Sequence, residues 1–345
     1  MWILLSVALG FLLDLCFGDP VWLPHPVVLI GKSISWLEKF LRQKFPQTPA
    51  GETKAGVILA VCIPLCSLLL SGGILLLAYH ISFWLWFVLH TFWSYQILAA
   101  RCLEQESRKV YRFLAAGDLS GARTQLSYLV GRETSQLSAE EVTKACVETV
   151  AENTSDGVTA PLFYLLLGGV PLGFCYKAIN TLDSMVGYRN AKYLFFGRAS
   201  AKTDDAANWL PARICGVLLT VSAFLLGLDG KGAWRIFRRD RNNHLSPNSA
   251  QTESAAAGAL GIQLGGIQNL PILAIGVVPQ AGRTHCAFQA VIICLFLQEL
   301  TRGISLFHRF QLKFIRCFLP HARRPRKEKH GHQRQRKAQN AKPAA

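Results

Sequence analysis

The chain has 345 residues, of which 51% are hydrophobic and only 17% charged, where an ordinary soluble domain carries about 25% charged residues. The formal net charge of +16 is concentrated at one end, because 13 Lys/Arg face a single acidic residue from Arg302 to Ala345; the body is near-neutral and no nucleic-acid partner is expected. Ten cysteines occur without a CxxC pair or Cys/His ligand spacing, which argues against a zinc site or a disulfide framework.

Six apolar segments follow one another at about 2–17, 55–79, 81–100, 157–180, 214–228 and 270–300. The first lacks a basic n-region and carries Asp14 and Asp19-Pro20 where a cleavage site would need small residues. It reads as a retained membrane helix. Segments 55–79 and 81–100 reach the roughly 20 residues that span a bilayer. They abut at Tyr79-His80, which predicts a tight hairpin. Segment 157–180 is broken by Gly168-Gly169 and Pro171, and 214–228 is only fifteen residues long. The first is expected to be a re-entrant hairpin, the second is too short to cross, and both are expected to line a pocket, because non-helical backbone at membrane depth is tolerated where it faces a protein cavity.

The polar stretches 31–54, 187–213 and 231–241 are rich in Lys and Arg, which predicts the cytoplasmic side for all three and for the basic tail. The expected fold class is therefore all-α, a polytopic integral protein of the cell (inner) membrane with a cytoplasm-facing helical insert. Four regions are expected: N-terminal membrane helices (1–100), a polar helical insert (101–156), a motif-rich membrane-associated region (157–266), and a C-terminal apolar segment with a basic tail (267–345). Within the insert, Asp118 caps a helix over about 119–130. Ser138-Ala139-Glu140-Glu141 is a capping box, and Val142, Ala145, Cys146, Thr149 and Val150 then form one apolar stripe.

Four polar clusters interrupt apolar sequence. The first is Asp14, Asp19-Pro20 and His25-Pro26, where the X-Pro steps also read as a rigid turn. The second is Glu152-Asn153-Thr154-Ser155-Asp156-Gly157. The third joins Asn180, Asp183, Arg189 and Lys192 to Asp204-Asp205, Asn208 and Arg213. There the spacing of Asp204, Asp205 and Asn208 puts a carboxylate and an amide one helical turn apart on one face. Hard oxygen ligands of this kind suit Mg²⁺, which binds through one or two carboxylates plus substrate phosphates. The fourth is His244, Ser246-Pro247-Asn248-Ser249 and Glu253, followed by a run of small residues from Ala255 to Gly261. That run suits either close backbone approach or an anion-binding helix start. No Walker A loop, no GxGxxG and no nucleophile elbow occurs, so any nucleotide is held without a P-loop.

The ordered series of these clusters closely resembles the adenosylcobinamide-phosphate synthase family of cobalamin biosynthesis (the CobD/CbiB type). It runs through Asp14-Leu15, Gly18-Asp19-Pro20, Pro24-His25-Pro26, Leu129-Val130-Gly131-Arg132 and Val147 to Gly157. It continues with Lys177-Ala178, Asn180 to Gly187, Asp204-Asp205, Asn208, Pro211-Ala212-Arg213, Ser246 to Ser249, Glu253 and Ala257 to Gly261. The resemblance implies ATP-dependent condensation of adenosylcobyric acid with aminopropanol phosphate (or aminopropanol), with Mg²⁺ and ATP consumed as cosubstrates. Other enzymes of the pathway are possible docking partners, beside the lipid bilayer.

A free carboxylate is a poor acyl donor, and phosphorylation turns it into one. This route asks for metal ligands, phosphate clamps and a base for the ammonium. Asp183, Asp204 and Asp205 are the candidate metal ligands. Asn153, Arg189, Lys192, Arg213, Ser246 and Asn248 are the candidate nucleotide-binding residues. Glu152, Asp156, His244 and Glu253 are the candidate catalytic residues, with Glu152 or His244 taking the amine proton. A Mg²⁺-dependent polyprenyl-transferase-like enzyme would need a second Asp-rich motif beside Asp204-Asp205. A non-catalytic transporter or scaffold would suit the broken helices, but no internal repeat is evident. The resemblance stops after Gly265-Gly266, where Ile267-Gln268-Asn269-Leu270-Pro271 opens a stretch with no family pattern. Lineage-specific divergence and a frameshift near residue 267 each account for this.

Overall fold

The computed structural model describes residues 1–20 and 22–265 and the backbone of 275–276. The expected apolar run at 270–300 and the basic tail lie outside the described residues. The described part is almost wholly helical, with one two-residue antiparallel pairing of Gln263–Leu264 with Ile275–Gly276. The helical expectation holds, and two stretches are long and apolar enough to cross a bilayer, Pro49–Ile81 and Ala139–Val186.

The first and fourth helices pack side by side and run parallel. Helix α1 (Trp2–Phe17) lies along α4 (Phe83–Ile97), with Trp2 against Phe83 and Phe87 at one end. At the other end the Tyr95 hydroxyl bonds the Gly18 carbonyl. Helix α2 (Pro26–Lys44) starts at His25, whose Nδ1 accepts the Val27 N–H at 3.2 Å, and at a proline in its first turn. Helix α3 (Pro49–Ile81) is 33 residues long and turns into α4 at the single residue Ser82. That is the predicted hairpin, displaced from Tyr79-His80 because the Ser82 hydroxyl caps α4 through Trp84 N at 3.2 Å. One face of α3 exposes Val57, Val61, Leu65, Leu69, Leu76 and Leu77, an unpartnered apolar stripe that fits association with a membrane. The 81–100 run is not one full-length helix. Helix α4 has 15 residues, and the chain breaks at Leu98 and Ala99, where Ala99 N donates to the Gly157 carbonyl at 3.1 Å.

The polar insert contains α5 (Ala100–Ala115), α6 (Leu119–Ser127) and α7 (Ala139–Thr154). Asp118 caps α6 through Gly121 N, and the Ser138–Glu141 capping box closes in both directions. Val142, Ala145, Cys146 and Val150 are buried as the periodicity requires. Helix α5 has no cap of its own. The buried Asp14 supplies one, accepting Ala100 N at 2.9 Å from 86 residues away, which suits a carboxylate at the positive end of a helix.

Helix α7 passes through a π-helical turn at Ser155–Thr159 into α8 (Ala160–Val186). A straight helix from 139 to 186 would run about 70 Å at 1.5 Å per residue. The contacts rule this out. The Tyr164 and Tyr176 rings stack at 5.0 Å, although twelve helical residues would separate them by about 18 Å. The Tyr176 hydroxyl lies 3.2 Å from the Asp156 carbonyl, where a straight helix would put about 30 Å between those residues. The chain turns back at Gly168 and Gly169, whose φ/ψ of −145/20° and 66/−160° are non-helical. The predicted re-entrant form is therefore a helical hairpin, with polar residues at its open end and glycines at its tip. The tip docks on His90, whose Nε2 accepts Val170 N at 3.2 Å while its Nδ1 lies 2.8 Å from Ser6 Oγ.

Helix α9 (Arg198–Ala207) joins α10 (Trp209–Leu225) through a 49° bend at Asn208. Helices α10, α11 (Gly230–Asp240) and α12 (Ser249–Leu260) form a tight group with a core of Cys215, Leu219, Ala233, Phe237 and the alanines of α12. The small-residue run serves close packing. A Cβ on Gly258 would stand 2.5 Å from the Gly232 carbonyl oxygen.

Candidate active site

The open end of the α8 hairpin, the bend between α9 and α10, and the α11–α12 loop meet around one cavity of about 250 Å³. Its lining includes Glu152, Asp156, Asp183, Arg189, Asp204, Asp205, His244, Ser246 and Asn248. Nine of the thirteen candidate residues, drawn from positions nearly 100 apart, thus share one chamber. The reason is the folding back of α8, which returns Asn180 and Asp183 to the level of Asp156.

The carboxylates are held by an amide and hydroxyl frame. Asn208 Nδ2 donates to Asp204 Oδ2 at 3.2 Å, the one-turn pairing read from the sequence. Asn180 Nδ2 stands 3.5 Å from both Asp156 Oδ2 and Asp204 Oδ1. The Tyr176 hydroxyl lies 2.9 Å from Asn208 Oδ1. Across the cavity, Asn248 Nδ2 donates to the Asp205 carbonyl at 2.9 Å and Ser246 Oγ approaches Asp205 Oδ1 at 3.5 Å. The α11–α12 loop is thereby latched onto α9.

Ser246 N donates to His244 Nδ1 at 3.0 Å. That bond fixes the neutral ring as the Nε2–H tautomer and leaves no free lone pair for an incoming proton. Glu152 is differently placed. Ser249 Oγ donates to its Oε1 at 2.7 Å, which leaves the second carboxylate oxygen able to accept. Between the two candidate bases, the geometry favours Glu152.

A second cavity of about 260 Å³ adjoins the first and shares Glu152 and His244 with it. Asn153 and Glu253 line this chamber, not the first, together with Glu148 and Arg132. Asn153 Nδ2 is committed to the Thr149 carbonyl at 2.9 Å. Arg132 pairs with Glu148 at 2.9 Å. Helix α12 lies outside the apolar spans. Burial, then the charges of Glu152 and Glu148, push the Glu253 carboxyl well above its ordinary value, with Arg132 pulling it back. The native state therefore holds that proton more tightly than the unfolded chain. The stabilisation is full below about 4.5, the unfolded value, and is lost as pH rises through the folded-state value. Glu253→Gln removes this titration, so its melting temperature should fall less than that of the parent as pH rises above about 4.5. A steeper fall in the variant would contradict the assignment.

Two candidates are not brought in. Lys192 is an exposed side chain 3.7 Å from Glu38 and 2.7 Å from the Tyr193 hydroxyl. Arg213 lies over the Trp209 ring at 4.1 Å and donates to the Trp209 carbonyl. Neither lines either chamber, because each is held by an aromatic residue on its own segment. Arg189 remains as the cation of the first cavity. Sequence reasoning passed over Ser249 and Arg132 as site residues. Their only signal was membership in the Ser246–Ser249 and Leu129–Arg132 strings.

Among the described residues, no group of three or more His, Cys, Asp or Glu side chains forms a metal cage. The cavity does present hard carboxylate oxygens from Asp183, Asp204 and Asp205. This donor set fits an ion such as Mg²⁺ that keeps waters and substrate phosphates among its ligands.

The chain is similar to known proteins over most of its length. The family model described as CobD/Cbib protein matches residues 7–271. "Cobalamin biosynthesis protein CobD" of Geobacter metallireducens is 52% identical over 260 residues, 75% of this chain and 80% of that protein. Its namesake from Listeria monocytogenes serotype 4b is 49% identical over 266 residues, 76% of this chain and 83% of its own. "Cobalamin biosynthesis protein CbiB" of Salmonella arizonae is 46% identical over 266 residues, covering 77% and 83%. No solved structure matches significantly. Residues 272–345 lie outside the family match, which reaches a few residues past the break read near residue 267. With the match extending over most of the chain and taking in every polar cluster of the site, this protein belongs to the CobD/Cbib family of cobalamin biosynthesis proteins.

Proposed function

We propose that this protein condenses adenosylcobyric acid with aminopropanol phosphate, at the expense of ATP, to give the amide of adenosylcobinamide phosphate. The observation that carries the reading is the single chamber in which Asp183, Asp204 and Asp205 face Glu152 and Arg189. In the first half-reaction the substrate carboxylate oxygen attacks the γ-phosphorus of ATP, the bond to the bridging oxygen breaks, and ADP leaves. In the second the amine nitrogen attacks the acyl carbon, phosphate departs with the bond pair, and one proton leaves the nitrogen.

Asp183, Asp204 and Asp205 would hold Mg²⁺, which when bound neutralises the phosphate oxygens. Arg189 sits where it offsets further negative charge on the transferring group. Glu152 takes the ammonium proton through the oxygen that Ser249 leaves free. The amide and hydroxyl frame of Asn180, Asn208 and Tyr176 keeps the carboxylates oriented without adding charge. The side that carries this chamber is taken as cytoplasmic, because ATP is supplied there and the surrounding loops are basic.

The direct test is mass spectrometry of product from membranes containing the full chain, supplied with adenosylcobyric acid, aminopropanol phosphate and Mg-ATP. Adenosylcobinamide phosphate should appear only with ATP. Absence of product both from this chain and from a chimera carrying a relative's C-terminus would overturn the reading. Cysteines placed at Lys192 and Arg238 should react with a membrane-impermeant reagent only after the cells are opened. Labelling in intact cells would reverse the orientation.

A further inference from the structure

A cavity of about 910 Å³ lies beside the carboxylate chamber, between the 19–32 segment, the end of α4 and helix α8. Its volume is near the upper end of the roughly 300–1,000 Å³ usual for small-molecule sites. Trp22, Leu23, Phe92 and Trp93 give it apolar walls, while Lys32 and Lys177 bring positive charge. This is where the first polar cluster of the sequence ends up, and the reaction outlined above leaves it without a role. Asp19 there is taken up by His25 at 3.6 Å.

Lys177 lies on the side of the larger cavity that is nearest the carboxylate chamber by sequence and by charge. It follows Tyr176 and precedes Asn180 by three residues, both of which reach Asp156. It lines the larger cavity, yet it is within electrostatic reach of Asp19 on that side and Asp156 on the other. Its ammonium makes no hydrogen bond or ion pair with any described residue. Half-buried on the cavity wall without a partner, this ammonium gains a counter-ion when an anion arrives. The partition is thin. Ala99 lines the larger cavity and donates its N–H at 3.1 Å to the carbonyl of Gly157, the residue after Asp156.

We infer that this second cavity is the subsite for the body of the bulky carboxylate substrate, with Lys177 binding the reacting carboxylate where it meets the chamber of Asp156. The inference rests on the amide-forming reading above and adds to it where the largest substrate sits. The nucleotide then approaches from the carboxylate side and the macrocycle from the aromatic side, so the two do not compete for one small chamber.

The test is equilibrium titration of the purified full-length protein with adenosylcobyric acid, in the absence of ATP and amine, beside a separate titration with Mg-ATP. Trp22 is 80% exposed, so Trp22→Ala should leave the fold intact. It should weaken adenosylcobyric acid about tenfold or more, as loss of an aromatic anchor does. Lys177→Gln should weaken it by about tenfold to a hundredfold, the loss of one charge-assisted contact, and Lys177→Arg should recover most of that. Affinity for Mg-ATP should stay within about twofold in both Trp22→Ala and Lys177→Arg. Unchanged adenosylcobyric acid binding in Trp22→Ala and Lys177→Gln would overturn the subsite, give the cavity to another occupant such as a lipid, and leave the reaction assignment standing. Weakening by Asp205→Asn alone would overturn it too, by placing the macrocycle in the carboxylate chamber. A parent protein that binds ATP but no adenosylcobyric acid would sink both the subsite and the reaction.

Discussion

Replacing Glu152 by glutamine should lower kcat by about 10²- to 10⁴-fold, the range for loss of a general base, while membrane insertion and melting temperature stay unchanged. The substitution is nearly isosteric. The glutamine Oε1 can still accept the Ser249 hydroxyl that now stands 2.7 Å from Glu152 Oε1, so the latch between α7 and α12 survives. What is lost is the second carboxylate oxygen, which can accept a proton. Because the amide cannot take up that proton, the loss should fall on kcat, with KM for aminopropanol phosphate nearly constant.

Three comparisons sharpen the prediction. His244→Ala should cost less than about tenfold, since Nδ1 is already occupied by Ser246 N and the ring only helps to fix the loop. Lys192→Ala and Arg213→Ala should change turnover by no more than about twofold, because exposed or self-stacked cations outside the chamber stabilise nothing that changes during reaction. Steady-state kinetics on purified variants decide the matter. An unchanged kcat in Glu152→Gln would remove Glu152 from proton transfer. A large loss in Lys192→Ala or Arg213→Ala would show that the loop closes further onto substrate than the present geometry allows.

The chain announced its site more clearly than its architecture, for a physical reason. Polar residues inside apolar sequence are costly unless they are used, so Glu152, Asp156, Asp183 and Asp204-Asp205 stand out with no knowledge of the fold. Local rules also carried well. The Ser138 capping box, the Asp118 cap and the Asp204–Asn208 pairing depend only on neighbours within one helical turn. Long-range geometry was less legible. Nothing near Asp14 shows that it will cap a helix beginning at Ala100, 86 residues away. Glycine at 168 and 169 marked a break, and only contacts such as Tyr164 on Tyr176 show that the break reverses the chain.

That reversal sets up the second large effect. Gly169→Val should abolish recovery of folded protein, or lower its melting temperature steeply, and should remove turnover with it. Gly169 sits at φ 66° and ψ −160°, a region open essentially to glycine alone, where another residue costs about 1–3 kcal/mol. The strain is compounded by contact. A Cβ there would stand 2.7 Å from His90 Nε2, the same atom that accepts the Val170 N–H at the hairpin tip. Moving the ring away also strains its contact with Ser6 Oγ at 2.8 Å, so a buried donor and acceptor lose partners together. The consequence reaches the site because the returning arm carries Tyr176, Asn180 and Asp183 back to Asp156. Gly73→Ala in α3 is the control. Nothing lies within 4 Å of its added Cβ, and an ordinary helical glycine replaced by alanine gains about 1 kcal/mol of helix propensity. Thermal unfolding of the two variants in the same detergent should therefore shift in opposite directions. A Gly169→Val protein that unfolds like the parent and still turns over would mean that the hairpin is not what holds the carboxylates together.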